Sequence, residues 1–271
     1  MVGFWRSFVD AAKRGVKPEV EVRILGSGSR GNAMLVGGEQ GQVLIDCGFS
    51  KRNLKQRLEQ AGESLGNIRA VLVTHEHGDH AQGALAVARA CQVPLYATRG
   101  TAERAGWLGA APLRVLSSGA KLKLAGMDIQ SYVVPHDAAE PVQFVCTQGQ
   151  RRVGVLSDAG HVTAHMCATL HSCDALFIEA NHCLDMLAQG PYPPSLKARV
   201  GGRFGHLNNT QTAQLLERVD LARVHSIVLT HISEQNNCPD RAQAVVRQPL
   251  SQWNGQLLTA SQDQPLAAIR V

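Results

Sequence analysis

One short segment limits the chemistry of this chain more than any other. Residues 68–73, IRAVLV, form a largely apolar run of the kind that becomes a buried β-strand. The run is followed at once by Thr74-His75-Glu76-His77-Gly78-Asp79-His80, so three imidazoles and a carboxylate lie within six residues. Imidazole nitrogens and carboxylate oxygens are ligands of zinc, manganese and iron. The segment therefore predicts a metal site, because a surface loop would rarely collect so many histidines by chance.

Similar side chains follow other predicted strands. The runs and the residues after them are 127–134 with His136, 153–157 with Asp158, 174–179 with Asn181-His182, and 224–230 with His231. Strand ends that converge on one edge of a sheet are where α/β proteins tend to build their sites. We therefore expect these residues to meet the segment around His77 in one place.

The remaining pattern mixes strands with helices in both halves of the chain. Further strands are predicted at 20–25, 33–36 and 42–46, and helices at 50–61, 81–90, 161–170, 210–219 and 240–253. This alternation indicates two packed sheets with helices outside, an αββα sandwich. We expect residues 20–271 to form one catalytic domain, preceded by an N-terminal extension at 1–19.

Composition narrows the class of protein only slightly. The formal charge of +5 favours a polyanionic partner without requiring one. The seven cysteines are odd in number and include no C-x-x-C, which argues against a disulfide framework and a zinc ribbon. No stretch resembles a signal peptide or a membrane span. We expect a cytoplasmic protein that does not enter a membrane.

The motifs resemble those of the metallo-β-lactamase superfamily. LVTHEHGDH is similar to its H-x-H-x-D-H signature. Its other elements also occur in order: Asp46 in LIDCG, His136 in VVPHD, Asp158 in VLSDAG and His231 in VLTHIS. The resemblance covers about residues 20–260 and implies the four-layer αββα metallo-β-lactamase fold and a hydrolytic activity.

The resemblance also implies a ligand set for two divalent metal ions, Zn²⁺ or Mn²⁺. One ion would be held by His75, His77 and His136, the other by Asp79, His80 and His231, with Asp158 bridging the two. Two ions about 3.5–4 Å apart can share a hydroxide that is nucleophilic at neutral pH. Asp79 would orient or deprotonate it.

Two further motifs indicate which bond is cleaved. Gly205-His206-Leu207-Asn208-Asn209-Thr210 resembles the G-H-S-T element of ribonuclease Z-like phosphodiesterases, in which the histidine stabilises the phosphate or protonates the leaving oxygen. Glu179 in IEAN resembles the acidic residue that supports that histidine. The resemblance thus implies catalytic roles for His206, Glu179 and Asp79.

A narrower resemblance is to the bacterial YycJ-type subgroup, carried by ILGSGSRGN, EANHCLDML, YPPSLKARVGGRFGHLNN and HISEQNN. It implies a 5′-to-3′ exonuclease acting on double-stranded DNA. The partner would then be nucleic acid, with DNA favoured over RNA. The residues that we expect to contact the substrate are Arg30, His182, Lys197, Arg199, Arg203 and Asn208.

Other functions remain open at this stage. The same metals could serve a ribonuclease Z-like RNA phosphodiesterase, or a hydrolase of small esters, thioesters, lactones or cyclic phosphates. A mononuclear iron oxidoreductase and a non-catalytic binding module are further alternatives, although the full ligand set disfavours both. The sequence does not indicate the oligomeric state.

Overall fold

Two mixed β-sheets pack face to face and carry helices on their outer surfaces in this computed structural model, which describes residues 20–38 and 40–271. The extension expected at residues 1–19 lies outside the described residues. The four-layer arrangement confirms the αββα sandwich predicted from the sequence.

The first sheet has seven strands. They are β1 (Glu21–Gly26), β2 (Ala33–Gly38), β3 (Gly41–Ile45), β4 (Ile68–Leu72), β5 (Leu95–Thr98), β6 (Leu113–Leu116) and β14 (Ile269–Arg270). Their order is β14-β1-β2-β3-β4-β5-β6. The pairs from β14 to β3 are antiparallel, and those from β3 to β6 are parallel. The parallel half directs the ends of β3 and β4 toward one edge.

The second sheet also has seven strands. They are β7 (Lys121–Leu124), β8 (Met127–Val133), β9 (Val142–Gln148), β10 (Arg151–Leu156), β11 (Ala175–Glu179), β12 (Ser226–Thr230) and β13 (Gln256–Thr259). Their order is β13-β12-β11-β10-β9-β8-β7. Strands β10 to β13 are parallel, so three neighbouring strands that precede predicted site residues end on the same side.

Nine α-helices and two short 3₁₀ turns connect the strands within the described residues. The helices are α1 (Lys51–Gln60), α2 (Gly78–Ala81), α3 (Ala84–Cys91), α4 (Arg99–Arg104), α5 (Ala164–Leu170), α6 (Leu184–Gln189), α7 (Pro194–Val200), α8 (Asn209–Arg218) and α9 (Pro239–Val246). The longest of them, α1 and α8, have ten residues each. None of the helices in this part of the chain is long and apolar enough to cross a membrane.

Three apolar clusters separate the layers. The central one lies between the sheets and includes Phe144 and Phe177, both fully buried. On the outside of the first sheet, α1 buries Leu54 and Leu58, four residues apart on one helical face. On the outside of the second sheet, α8 buries Leu215 in the same way.

Two predicted helices differ from the structure. The helix expected at 81–90 is interrupted, so that α2 ends at Ala81 and α3 begins at Ala84. Gly83 lies in the break, where an added Cβ would come 1.9 Å from the carbonyl oxygen of Phe49. The helix expected at 240–253 ends at Val246 and is followed by a 3₁₀ turn, Gln248–Leu250. Pro249 explains this end, because proline cannot continue an α-helical hydrogen-bond pattern.

We expect Phe177→Ala to destabilise the protein by about 3–5 kcal/mol, because it leaves a large cavity between the sheets. Urea unfolding followed by circular dichroism measures this difference. Phe204→Ala is the matched control, since Phe204 is 58% exposed and its removal should change stability by no more than about 0.5 kcal/mol. Equal losses for the two variants would contradict the assignment of Phe177 to the central core.

Candidate metal centre

The predicted ligands come together at the edge where strands of both sheets end. The loop after β4 and the short helix α2 supply His75, His77, Asp79 and His80 from the first sheet. The loops after β8, β10 and β12 supply the remaining predicted ligands from the second sheet, and these are His136, Asp158 and His231. The tertiary structure thus unites groups from distant parts of the sequence.

Three imidazoles form the first group. His75 Nε2 lies 3.0 Å from His77 Nδ1, and His136 Nε2 lies 3.2 Å from the same atom. His77 thus turns Nδ1 inward, whereas its two neighbours turn Nε2 inward. The outer nitrogens are held from behind, since His136 Nδ1 lies 2.9 Å from the carbonyl oxygen of Gly205 and His75 Nδ1 lies 2.9 Å from the hydroxyl of Thr74. Such contacts fix the ring orientation of metal-ligating histidines.

Asp79, His80 and His231 form the second group. Asp79 Oδ2 lies 3.2 Å from His231 Nε2 and 3.4 Å from His80 Nε2. Both groups meet the geometric requirement for a metal site, since the ligand atoms within each lie within 4.8 Å of one another.

Asp158 lies between the two groups. Its Oδ2 is 3.1 Å from His80 Nε2, and its Oδ1 is 3.6 Å from His231 Nε2. Asp158 also forms a third possible ligand group with His75 and His80. The carboxylate is thus placed to bridge two ions.

The donor set fits divalent metal ions. Asp158 Oδ2 is buried and has no hydrogen bond of standard geometry among the described residues, although His80 Nε2 lies 3.1 Å away, and such burial is costly for a carboxylate oxygen unless a cation satisfies it. The facing nitrogens of His75, His77 and His136 also present lone pairs to a common point. Mixed nitrogen and carboxylate donors of this kind suit zinc and manganese.

Burial and neighbouring charges set the protonation state of each of these groups. Burial lowers the pKa of His75 well below its usual value and that of His136 to about 4, so both favour the neutral form that metals require. Burial would raise the pKa of Asp158, but the charges of His231 and His80 outweigh it and hold the carboxyl ionised. For His80, the attraction of Asp158, Asp79 and Asp46 exceeds the effect of burial and raises the pKa.

Asp46 and Asn32 form hydrogen bonds with residues of the second group. Asp46 accepts a hydrogen bond from the backbone N–H of Thr74, and its Oδ2 lies 2.8 Å from His80 Nδ1. This contact directs His80 Nε2 toward the centre. Asn32 Nδ2 lies 3.0 Å from His80 Nε2 and donates to Asp79 Oδ2.

The backbone is strained at two of these positions. Asp46 has φ +60° and His231 has φ +52°, in the left-handed region that residues other than glycine rarely adopt. Each follows directly after a strand, β3 or β12, and the unusual φ turns the chain sharply there. Strain of this kind is concentrated at functional sites. The backbone N–H of His231 is held by Ser27, whose hydroxyl oxygen accepts its hydrogen bond at 2.8 Å.

The buried Glu179 and the partly exposed His206 form a pair beside Asp158. Glu179 is completely buried, and its Oε1 accepts a hydrogen bond from His206 Nδ1 at 2.6 Å. Its Oε2 accepts from the backbone N–H groups of Ala159 and Leu207. Burial lowers the pKa of His206, but the charge of Glu179 and the hydrogen bonds to Asp158 and Glu179 raise it well above its usual value. The pair therefore holds one imidazole proton in a fixed position.

The centre opens into a cavity of about 370 Å³. The predicted substrate contact Arg199 lines it and pairs with Asp137, its Nε lying 2.5 Å from Asp137 Oδ2. Lys197 donates to the carbonyl oxygen of Ala188. Arg203 is exposed and has no side-chain partner among the described residues.

Three other predicted substrate contacts have structural partners or are buried. Arg30 pairs with Glu234 and Asp263, so its charge is already neutralised by two carboxylates. Asn208 is the N-cap of α8 and accepts the backbone N–H of Gln211. His182 has no exposed surface, which argues against direct contact with a substrate. Partners elsewhere disfavour Arg30 and Asn208 as phosphate contacts, whereas His182 is disfavoured by burial alone, since its ring nitrogens have no hydrogen-bond partner among the described residues.

Sequence reasoning missed several residues around the centre. Asn32 and Ser27 belong to the glycine-rich loop after β1, from which only Arg30 was predicted to have a role. Asp137 follows a predicted ligand, and its Oδ1 lies 3.5 Å from His136 Nε2. Tyr192 lines the cavity from the segment before α7. Only Asp137 carried a usable signal, its position next to His136.

Comparisons with known proteins agree with this geometry. A family model described as "Beta-lactamase superfamily domain" matches residues 42–232. "Exodeoxyribonuclease YycJ" of Bacillus anthracis is 32% identical over 84% of this chain and 88% of its own length. "Exodeoxyribonuclease WalJ" of Streptococcus pneumoniae is 31% identical over 84% and 87%. The crystal structure of the metallo-β-lactamase fold protein YhfI from Bacillus subtilis superposes with a TM-score of 0.74 at 17% identity, covering 94% of this chain and 100% of that one.

The site and the fold together define a metal-dependent hydrolase. The chain belongs to the metallo-β-lactamase superfamily. Within it, the chain is similar to the YycJ and WalJ exodeoxyribonucleases, which confirms the resemblance read from the motifs.

We expect divalent metal to stabilise the protein, because it would neutralise the buried carboxylates and satisfy the facing imidazoles. At a metal concentration about 100 times the Kd, the melting temperature should rise by roughly 5–10 °C over the chelated protein. Differential scanning fluorimetry with EDTA, Zn²⁺ or Mn²⁺ measures the shift. His161→Ala, which changes a histidine outside the ligand groups, should respond like the wild type, whereas Asp158→Ala should lose most of the shift. An identical melting temperature with and without metal would refute the centre.

Proposed function

We propose that this chain is an exonuclease that hydrolyses phosphodiester bonds of double-stranded DNA from the 5′ end. The observation that carries the proposal is the pair formed by the buried Glu179 and the partly exposed His206 beside Asp158, because it places a proton donor next to the predicted metal ligands. The names of the YycJ and WalJ relatives support DNA as the substrate.

The proposed ligand set has two parts that share one carboxylate. His75, His77 and His136 would hold one ion, Asp79, His80 and His231 would hold the other, and Asp158 would contribute to both from its place between the two groups. Zn²⁺ or Mn²⁺ fits these donors. When bound, such ions act as Lewis acids that activate water and neutralise the charge on phosphate oxygens.

His206 supplies the proton for the leaving oxygen. Glu179 holds Nδ1, so Nε2 is the nitrogen available to the substrate. The raised pKa of His206 favours the imidazolium form, which can donate that proton or a charge-assisted hydrogen bond to a phosphate oxygen. Glu179 itself does not touch the substrate, because it is completely buried; it positions His206.

Asp79 acts on the attacking water. Asp79 and Asp158 both line the cavity together with His206, and Asp79 is the more exposed of the two carboxylates, so it lies on the surface where a phosphodiester would bind. Burial raises the pKa of Asp79, but His80 and His231 outweigh this effect and hold it ionised. An ionised carboxylate in this place can orient the water and accept its proton.

Arg199 in the cavity lining, and Arg203 two residues before the lining residue Gly205, would hold the phosphate backbone. Arg203 has no structural partner among the described residues, and Arg199 is paired only with the partly exposed Asp137. A phosphate can replace or join Asp137 as the partner of Arg199, since guanidinium binds phosphate and carboxylate with the same geometry. These contacts position the DNA without reading its sequence.

We expect His206→Ala to reduce kcat by about 10²–10⁴-fold, because it removes a general acid. Asp79→Ala removes both a ligand and the water-orienting carboxylate, and should leave no measurable cleavage. The measurement is release of nucleotides from 5′-labelled duplex DNA by the purified protein with Mn²⁺ or Zn²⁺.

The control for this assay is His161→Ala, which removes a histidine that lies outside the ligand groups and should cleave like the wild type. Equal digestion by Asp79→Ala and the wild type would identify a contaminating nuclease and defeat the proposal. Cleavage of RNA in place of DNA, or of small esters without nucleic acid cleavage, would assign the same centre to another substrate.

A further inference from the structure

The cavity over the metal centre has two chemically different walls. One wall carries metal ligands and His206. The other is formed by the segment before α7 and by α7 itself, which contribute Tyr192, Leu196 and Val200. Leu196 and Val200 are four residues apart and therefore lie on one face of the helix. We call these three residues the apolar wall.

The apolar wall is not part of a hydrophobic core. None of the residues of α7 is buried, and Tyr192, Leu196 and Val200 all retain partial exposure. Apolar surface left in contact with water forgoes about 25 cal/mol for each Å² that burial would cover. A ligand that covers the wall would recover this free energy.

The wall is held in position by contacts of its own backbone and of its polar face. Lys197 donates to the carbonyl oxygen of Ala188, and Arg199 pairs with Asp137. The carbonyl oxygen of Val200 accepts the backbone N–H of His206, which links the wall directly to the proposed general acid. The position of the apolar wall relative to His206 is therefore set before any substrate binds.

The contents of the cavity select the occupant. The predicted metal ligands, His206 and Arg199 can bind a phosphate. The apolar wall can contact a flat or apolar group that is covalently joined to that phosphate. A nucleotide carries both, with its phosphate and its base separated by one sugar. An aromatic side chain can stack on any of the four bases, because each has a π-face.

We propose that the apolar wall binds the nucleobase of the nucleotide whose phosphodiester bond is cleaved, and that Tyr192 is the surface on which the base stacks. The proposal rests on the proposed nuclease function and adds a base-binding subsite to it. Stacking accounts for binding without a sequence preference, since the wall offers no hydrogen-bond donor other than the Tyr192 hydroxyl.

Binding of a mononucleotide tests the subsite without requiring turnover. Isothermal titration calorimetry of the metal-loaded protein would compare deoxyadenosine 5′-monophosphate with 2-deoxyribose 5-phosphate, which lacks the base. Stacking is worth about 1–3 kcal/mol for each base, so the wild type should bind the nucleotide about 5- to 140-fold more tightly. Tyr192→Ala should bind the two equally, and Tyr192→Phe should keep the preference because it keeps the ring.

Leu184→Ala is the matched control, because Leu184 is 55% exposed and lies outside the cavity lining. It should keep the wild-type preference. Equal binding of the two ligands by the wild type, or an unchanged preference in Tyr192→Ala, would overturn the proposal. Tighter binding of butyl phosphate than of the nucleotide would overturn it in favour of an alkyl or acyl occupant.

A second experiment separates failure of the subsite from failure of the nuclease proposal. The substrate is duplex DNA whose 5′-terminal nucleotide is either normal or abasic. The wild type should lose about 5- to 140-fold in kcat/KM on the abasic end, whereas Tyr192→Ala should be slow on both. If the wild type cleaves the normal and the abasic substrate at the same rate, the subsite proposal is refuted and the nuclease proposal stands. If calorimetry shows tighter binding of the ligand that carries a base, but the protein does not cleave DNA, the subsite proposal stands and the nuclease proposal is refuted.

Discussion

The cost of burying carboxylates and imidazoles beside one another governs the architecture of this protein. Asp158 is almost fully buried, with one oxygen that has no hydrogen-bond partner among the described residues. Without a compensating cation, this arrangement would oppose folding. Both sheets must therefore deliver their ligands accurately to one point, and the strained backbone at Asp46 and His231 shows that the chain departs from ordinary geometry to do so.

Glu179 connects the loop that carries Asp158 with the proposed general acid, His206. Its two oxygens divide their roles, since Oε1 holds His206 while Oε2 accepts backbone N–H groups from the loops that carry Asp158 and His206. One buried carboxylate thus fixes the spacing between two loops and the orientation of one imidazole. A change at Glu179 would disturb the centre through position, even though the residue is sealed from solvent.

The cavity is lined by metal ligands on one side and by apolar residues on the other, and this difference bears on which substrate it can bind. The superfamily fold supplies the metal ligands, but a fold shared by many hydrolases does not determine what they hydrolyse. The features that bear on the substrate lie on α7 and on the segments before and after it, where Tyr192, Arg199 and His206 line the cavity. These residues combine an aromatic ring, a cation and a proton donor, which together suit a nucleotide.

The sequence alone predicted the class of fold and, through its resemblance to the superfamily, a set of metal ligands. His75, His77, His136 and Asp158 each follow an apolar strand, and strand ends are constrained by periodicity that can be read locally. The four-layer sandwich followed from the alternation of strands and helices. Short edge strands such as β6 and β7 escaped notice, because four residues carry too little periodic signal.

Only the tertiary structure decided which side chains stand behind and around the centre. Asn32 reaches Asp79 across 47 positions of sequence, and Arg30 is neutralised by Glu234 and Asp263 from the far end of the chain. No local pattern encodes such pairs, since they depend on how loops from different strands pack together. The sequence motifs predicted metal ligands through a family resemblance. The burial of His182 and the placement of Tyr192 in the cavity lining, by contrast, required the folded chain.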